Sequence, residues 1–405
     1  MKRKEVVLFT ILFIISALFG AYLTFNTFSN ESIGSITEKT FAKNLNPNIV
    51  KQTQISDSSK NNNFNTDAKK CMQLQKTDFT ETIDKNLTVL EKYQDLCDSL
   101  AVSQMMFIID MPTNEEGAII KAKKIAPKLK EFAKYRVLPL IIAEPTDGDN
   151  KISFKEFSSG KYNEVFDLYF KTIKDEGVTD DQIGMWVPFP EYNVPYWNFD
   201  GTLPSDFGTN INNYITPLKK YFKAKTGILL NSQTYYPEDS NWEYGSYDSF
   251  IPYLKGVKKG LIDSFGVQGL PWVSPASTKR VEQFDPKEYL ATDLIIEAAK
   301  FLKVREVWVN TGTFSEKYTN DIVKKTNVSI NSRKTMLNGV LSEAEKLKND
   351  KFQVTINLFA QDKSYLGEST NWSYFGSQAS KKVLREFFAT SNDKEIKLSL
   401  FDKDL

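Results

Sequence analysis

From residue 105 onward the sequence alternates short apolar runs with longer segments of helical periodicity, and that alternation leaves few folds open. The runs read MMFIIDM (105–111), VLPLIIAEP (137–145), GMWVPFPE (184–191), ILLNSQTYY (228–236), SFGVQGLPW (264–272), EVWVNTG (306–312) and FQVTINLFAQD (352–362). A weaker run, CMQLQ (71–75), precedes them and brings the count to eight. Between them lie amphipathic stretches such as 79–100, 115–135, 162–177, 211–225 and 287–303. Strands that are apolar along their whole length belong in a parallel sheet covered by helices on its faces. Eight such units imply a closed (β/α)8 barrel, an α/β TIM-barrel fold, over residues 68–405. Without the weak first run an open doubly wound sheet is the alternative, but no Gly-rich phosphate loop supports it.

The segments ahead of the barrel have a different composition. Lys2, Arg3 and Lys4 precede VVLFTILFIISALFGAYLTF, 20 residues without a charge. That length crosses a bilayer, and the basic flank stays in the cytoplasm, placing the chain beyond Phe25 outside. No Ala-x-Ala site ends the run, so residues 1–25 read as a retained transmembrane signal anchor, with a cleaved signal peptide as the competing reading. Residues 26–67 are rich in Asn, Ser, Thr and Lys and read as a disordered linker. In the oxidising compartment beyond the membrane, Cys71 and Cys97 either form a disulfide or remain two buried thiols.

Histidine is absent, so a Ser-His-Asp triad, a Cys-His pair and a His-ligated zinc site are all excluded. Lys plus Arg is 52 against 51 for Asp plus Glu, which gives no argument for a nucleic-acid partner. DGDNKISFKEF (147–157) lacks the spaced acidic end of a calcium loop, and no metal or cofactor is called for. An enzyme built from this chain works with carboxylates, Lys, Tyr or hydroxyls.

In a (β/α)8 barrel those groups sit at the C-terminal strand ends. Those positions hold Asp110, Glu144, Glu191, Tyr235, Gln268 with Trp272, Asn310 and Asp362. Glu191 lies among Trp186, Asn193, Tyr196 and Trp197. Carboxylates move protons, aromatic faces stack on the C–H faces of sugar rings, and amides bond hydroxyls. That inventory points to a carbohydrate site. Glu191 as a helix cap, or as one half of an ion pair, is the plainer alternative, and the same holds for Glu144 and Asp362.

PEYNVPYW (190–197) resembles the fourth-strand signature of glycoside hydrolase family 26, the mannanase-type barrels. NWSYF (371–375) is similar to the segment whose Trp, here Trp372, closes that family's sugar subsite. The resemblance implies that Glu191 is the acid/base, Asn193 the following amide, and Tyr196 and Trp197 the aromatic pair. It implies a nucleophilic Glu at the seventh strand, where this chain has Asn310 and Thr311. Pro190 replaces the family's His. The partner of Glu191 is then Glu144, Asp110 or Asp362.

The expectation is a membrane-tethered extracytoplasmic glycoside hydrolase on a β-linked polysaccharide or glycan. Its catalytic candidates are Glu191, Glu144 and Asp362. Its substrate-binding candidates are Trp186, Asn193, Tyr196, Trp197, Tyr235, Gln268, Trp272, Asn310 and Trp372. Two readings compete with it: a non-catalytic carbohydrate-binding barrel at the cell surface, and a scaffold that binds another protein.

Overall fold

The computed structural model describes residues 82–84, 87–88, 104–134, 138–148, 150–236, 241–244, 247–271, 285–313, 329–359, 372–374 and 377–401. All of them lie in the compact unit that runs from Asn62 to Leu405. Among the described residues no helix is long and apolar enough to cross a membrane. The apolar run at 6–25, the linker, Cys71 and Cys97 fall outside them.

Eight strands close a barrel: β1 Gln104–Asp110, β2 Leu138–Glu144, β3 Met185–Pro188, β4 Lys225–Asn231, β5 Ser264–Gln268, β6 Glu306–Gly312, β7 Gln353–Phe359 and β8 Lys397–Phe401. Every neighbouring pair is parallel, and β8 returns to β1 through Ser399 opposite Gln104. Helices fill the connections: α1 Glu115–Lys134, α2 Phe154–Ser158, α3 Asn163–Asp175, α4 Phe207–Tyr221, α5 Ile251–Leu254, α6 Pro286–Leu290, α7 Thr292–Leu302, α8 Ile330–Asn349 and α9 Gln378–Asp393.

The expected barrel is therefore present, but its strands are shifted by one. CMQLQ (71–75) lies outside the described residues, and the barrel closes without it. The last strand, KLSLF, takes the eighth place. Glu191 consequently comes after the third strand, not the fourth, and Asn310 lies on the sixth, not the seventh. Within the expected helix 79–100, Thr82–Asp84 and Leu87–Thr88 pair as antiparallel strands. The β-branched Thr82, Ile83 and Thr88 favour that extended conformation.

Successive side chains on a strand point to opposite faces, and the cores obey that alternation. Ile141, Ala143, Trp186, Ile228, Leu230, Phe265 and Val309 face outward into the large core under the helices. Leu140, Ile142, Met185, Val187, Leu229 and Trp308 form a second cluster that fills the barrel. The Trp308 ring lies 2.2 Å from where a Cβ on Gly266 would stand, so only glycine fits beside it on β5. Near the end of β6, the fully buried Arg333 of α8 donates to Thr313 Oγ1 (3.0 Å) and Ser380 Oγ (2.9 Å) and to the Trp372 (3.1 Å) and Ser373 (3.0 Å) carbonyls. Its guanidinium stacks 3.9 Å from the Tyr374 ring centroid. One buried cation thus joins β6, α8, α9 and the 372–374 segment, with hydrogen bonds compensating its desolvation.

Candidate active site

The chain leaves β3 through a turn with two non-glycine residues in the left-handed region, Phe189 (φ 52°) and Glu191 (φ 54°). That conformation costs about 1–2 kcal/mol per residue and persists where surrounding contacts over-determine it. Here the Phe189 N–H donates to the Ala143 carbonyl of β2 at 2.9 Å, and the Glu191 N–H to the Leu229 carbonyl of β4 at 2.8 Å. The Phe189 ring anchors outward against Phe157 (4.7 Å), Tyr214 (5.6 Å) and Phe154 (5.7 Å). Glu191, two residues on, is half-buried at the C-terminal mouth.

There Glu191 Oε1 accepts from Asn231 Nδ2 at the end of β4 and from Gln268 Nε2 of β5, the latter at 2.5 Å. Asn310 Nδ2 donates to Gln268 Oε1 at 2.6 Å, and Asn357 Nδ2 to Asn310 Oδ1 at 2.7 Å. These four amides are register partners across β4, β5, β6 and β7. They form one polar layer on top of the apolar filling of the barrel. Buried Asn357 Oδ1, Thr311 Oγ1, Gln233 Nε2 and Trp308 Nε1 have no hydrogen-bond partner among the described residues.

The loop after Glu191 is pinned at several points. Asn193 and Asn231 clasp each other: Asn193 Nδ2 donates to the Asn231 carbonyl at 2.7 Å, and the Asn231 N–H to Asn193 Oδ1 at 2.8 Å. Asp200 accepts from Ser153 Oγ (2.6 Å), the Lys155 N–H (3.0 Å) and Thr202 Oγ1 (2.7 Å). Burial works against its ionisation, but these hydrogen bonds outweigh it and hold the Asp200 carboxyl below the usual aspartate value. Lys151 lies 3.3 Å from the Tyr196 ring centroid and donates to the Tyr196 carbonyl at 2.8 Å; burial lowers its pKa.

The expected site residues do not all meet in one place. Glu191, Gln268 and Asn310 are brought together in the amide layer. Glu144 ends β2 on the same rim, half-buried and in register with the exposed Asp110, whose carboxylate accepts from Thr146 at 2.8 Å. Tyr196 is 46% exposed and meets Trp197 edge-on at 4.9 Å, whereas Trp197 itself packs into the core.

Three expectations are corrected, and the buried Trp197 is the first of them. Trp186 is not at the mouth: it points out of the barrel, fully buried against Phe170 at 5.2 Å, and donates to the Tyr214 hydroxyl at 3.0 Å. Trp372 is not a mouth platform either, being buried against Phe359 at 5.7 Å. Asn193 is occupied by its clasp with Asn231. The strand Gln233–Tyr236, which contains Tyr235, pairs with Asn241–Tyr244. Asp362 and Trp272 lie outside the described residues.

Asn231 and Asn357 escaped the sequence reading. The available signal was an amide ending each apolar run, in ILLN, VWVN and TIN, but only strand register shows that these belong to one layer.

The fold and the site define a closed parallel (β/α)8 barrel with one carboxylate fixed at its C-terminal mouth by side-chain amides. No family model matches the chain, and no curated protein matches it. Similar solved structures include a GH26 β-mannanase from Bacteroides ovatus, at 10% identity and TM-score 0.47, covering 82% of this chain and 94% of that one. They also include a GH113 β-mannanase from Alicyclobacillus acidocaldarius in complex with ManMIm, at 9% identity and TM-score 0.37, covering 66% and 78%. A family 1 β-glucosidase from Thermotoga maritima is a third, at 11% identity and TM-score 0.46, covering 71% and 82%. Likeness this distant assigns no family, and the fold rests on the strand pairing itself.

Proposed function

We propose that the protein is a glycoside hydrolase that cleaves a β-linked glycan at this mouth, held outside the cytoplasm by its N-terminal apolar segment. One observation carries the reading: Glu191 sits on a strained turn with two amide N–H groups on one carboxylate oxygen, beside Glu144 at the neighbouring strand end. Hydrogen bonds of that kind favour the charged form of a carboxylate. Two donors on Oε1 suit Glu191 to the ionised role, facing the positive charge that develops on the sugar ring, and Glu144, at the end of the neighbouring strand, is the carboxyl we assign to the leaving oxygen. This reverses the acid/base role that the motif resemblance implied for Glu191. The exposed Tyr196 ring, with Lys151 over it, is the aromatic group on the loop after Glu191 that we assign to the sugar. The tether rests on the 20-residue uncharged run behind Lys2, Arg3 and Lys4.

A second reading, a glycan-binding barrel without catalysis, draws on a specific observation. In the observed numbering β4 runs into Asn231-Ser232-Gln233 and β7 ends in Asn357-Leu358-Phe359, so neither carries the carboxylate that the resemblance places there. A panel of β-linked oligosaccharides decides between the two. Cleavage that Glu191→Gln abolishes supports the hydrolase. Binding without cleavage by the unaltered protein leaves the binding barrel, and neither binding nor cleavage removes both.

A further inference from the structure

The amide layer has a direction. A primary amide presents donors on one side and an acceptor on the other, so Gln268 alone could turn either face to Glu191; with Oε1 inward it would set oxygen against a carboxylate oxygen. The Asn231 arm is locked by the backbone, because its Oδ1 accepts from the Gln233 N–H at 2.8 Å and its Nδ2 is left for Glu191. Among the described residues the Gln268 arm has no such backbone lock. Its Oε1 is taken by Asn310 Nδ2, and the Oδ1 of Asn310 is taken in turn by Asn357 Nδ2.

At the far end the order shows its cost. Asn357 Nδ2 also meets Met106 Sδ at 3.3 Å, while its Oδ1 is buried without a partner among the described residues. An orphan acceptor costs about 1–3 kcal/mol. Turning Asn357 over would place that oxygen against Asn310 Oδ1, so the direction imposed by the carboxylate runs through all three amides. Chains of this kind polarise each other in a low-dielectric interior.

We infer that Asn310 and Asn357 are positioning residues, which lock the Gln268 amide with its N–H toward Glu191 and so hold that carboxylate ionised and in place. Both are fully buried, and each acts through its neighbour in the layer. Among the described residues, the other charged or titratable groups around the turn are Glu144 and Asp110 on the β2 and β1 ends, and Lys151 over Tyr196. Tyr192 donates to the Tyr253 carbonyl and Tyr247 to the Asn193 carbonyl. None of them is altered by substitutions at 310 or 357.

The inference rests on reading Glu191 as the carboxylate of the site, but its test needs no substrate. In the full chain with carboxyl-13C glutamate, the Glu191 signal is the one lost in Glu191→Gln, and its chemical shift is tracked against pH. Gln268→Leu, Asn310→Leu and Asn310→Ala should each raise the midpoint by about one pH unit. Asn357→Leu should give a smaller rise in the same direction. Asn310→Ala removes the amide without adding a charge and serves if the Leu variant does not fold. A midpoint that moves in Gln268→Leu but not in either Asn310 variant overturns the positioning role, and one that moves in none overturns the layer as the source of the charge state. Absence of glycan cleavage would sink the hydrolase and leave this titration readable.

Discussion

At the scale of single residues, the proposed reaction gives Glu191, with two amide donors on one oxygen, and Glu144, half-buried at the end of β2, opposite halves of the chemistry. Loss of a proton donor hurts least when the leaving group needs no proton, whereas loss of the ionised group hurts every substrate. Glu144→Gln should therefore lose about 10²–10⁴-fold on a β-linked oligosaccharide yet retain most activity on an aryl glycoside with a highly acidic leaving group. Glu191→Gln should lose activity on both. Steady-state kcat/KM on the two substrates checks this, and the reverse pattern would make Glu191 the acid. Glu191 was legible in the sequence because an acid closing the strand-length run GMWVPFPE is conspicuous. Asn231 and Asn357 were not, since an amide in an apolar strand says nothing until its register partners are known. Trp186 misled for a related reason: alternation on a four-residue strand fixes its face, and the sequence leaves the phase of that alternation open.

At the scale of elements, the loop from β3 to α4 carries Glu191 and Tyr196 and is tied to the start of α2 by Asp200. Because the folded-state pKa of Asp200 is depressed, its ionised hydrogen bonds add stability that is fully present above the ordinary aspartate value near 4 and is lost as pH falls below it. Asp200→Asn should lower stability at pH 7 and flatten the acid side of the stability profile. Denaturant midpoints between pH 3 and 7 measure both effects. An unchanged acid slope in Asp200→Asn would mean that the carboxylate contributes nothing through these bonds. Seven of the eight barrel strands were legible as apolar runs because parallel strands are buried on both faces. KLSLF was missed because Lys397 and Ser399 interrupt it and it spans five residues. With CMQLQ in its place the sequence still yields eight strands, and Glu191 then falls at the fourth strand instead of the third.

At the scale of the whole molecule, the shift decides where the barrel begins. The barrel starts at Gln104 and closes on itself when β8 pairs with β1, so no strand ahead of residue 104 is needed to seal an edge. An unsealed parallel sheet would present unpaired backbone groups and aggregate. A chain lacking residues 1–67 keeps all eight strands and every hydrogen bond of the amide layer. It should express as a soluble protein, unfold in one cooperative transition, and show the same Glu191 titration as the full chain. A chain ending at Asp393 keeps helices α1 to α9 but loses β8, exposing the edges of β7 and β1 along registers such as Ile356 with Leu398 and Met105 with Leu400. It should precipitate or unfold without a cooperative transition. Solubility after expression and a thermal unfolding curve separate the two truncations. If the first aggregates while the full chain is well behaved in detergent, the N-terminal region is part of the fold rather than a tether. If the second stays cooperative, closure through β8 is not what holds the barrel, and the strand order that places Glu191 would need to be drawn again.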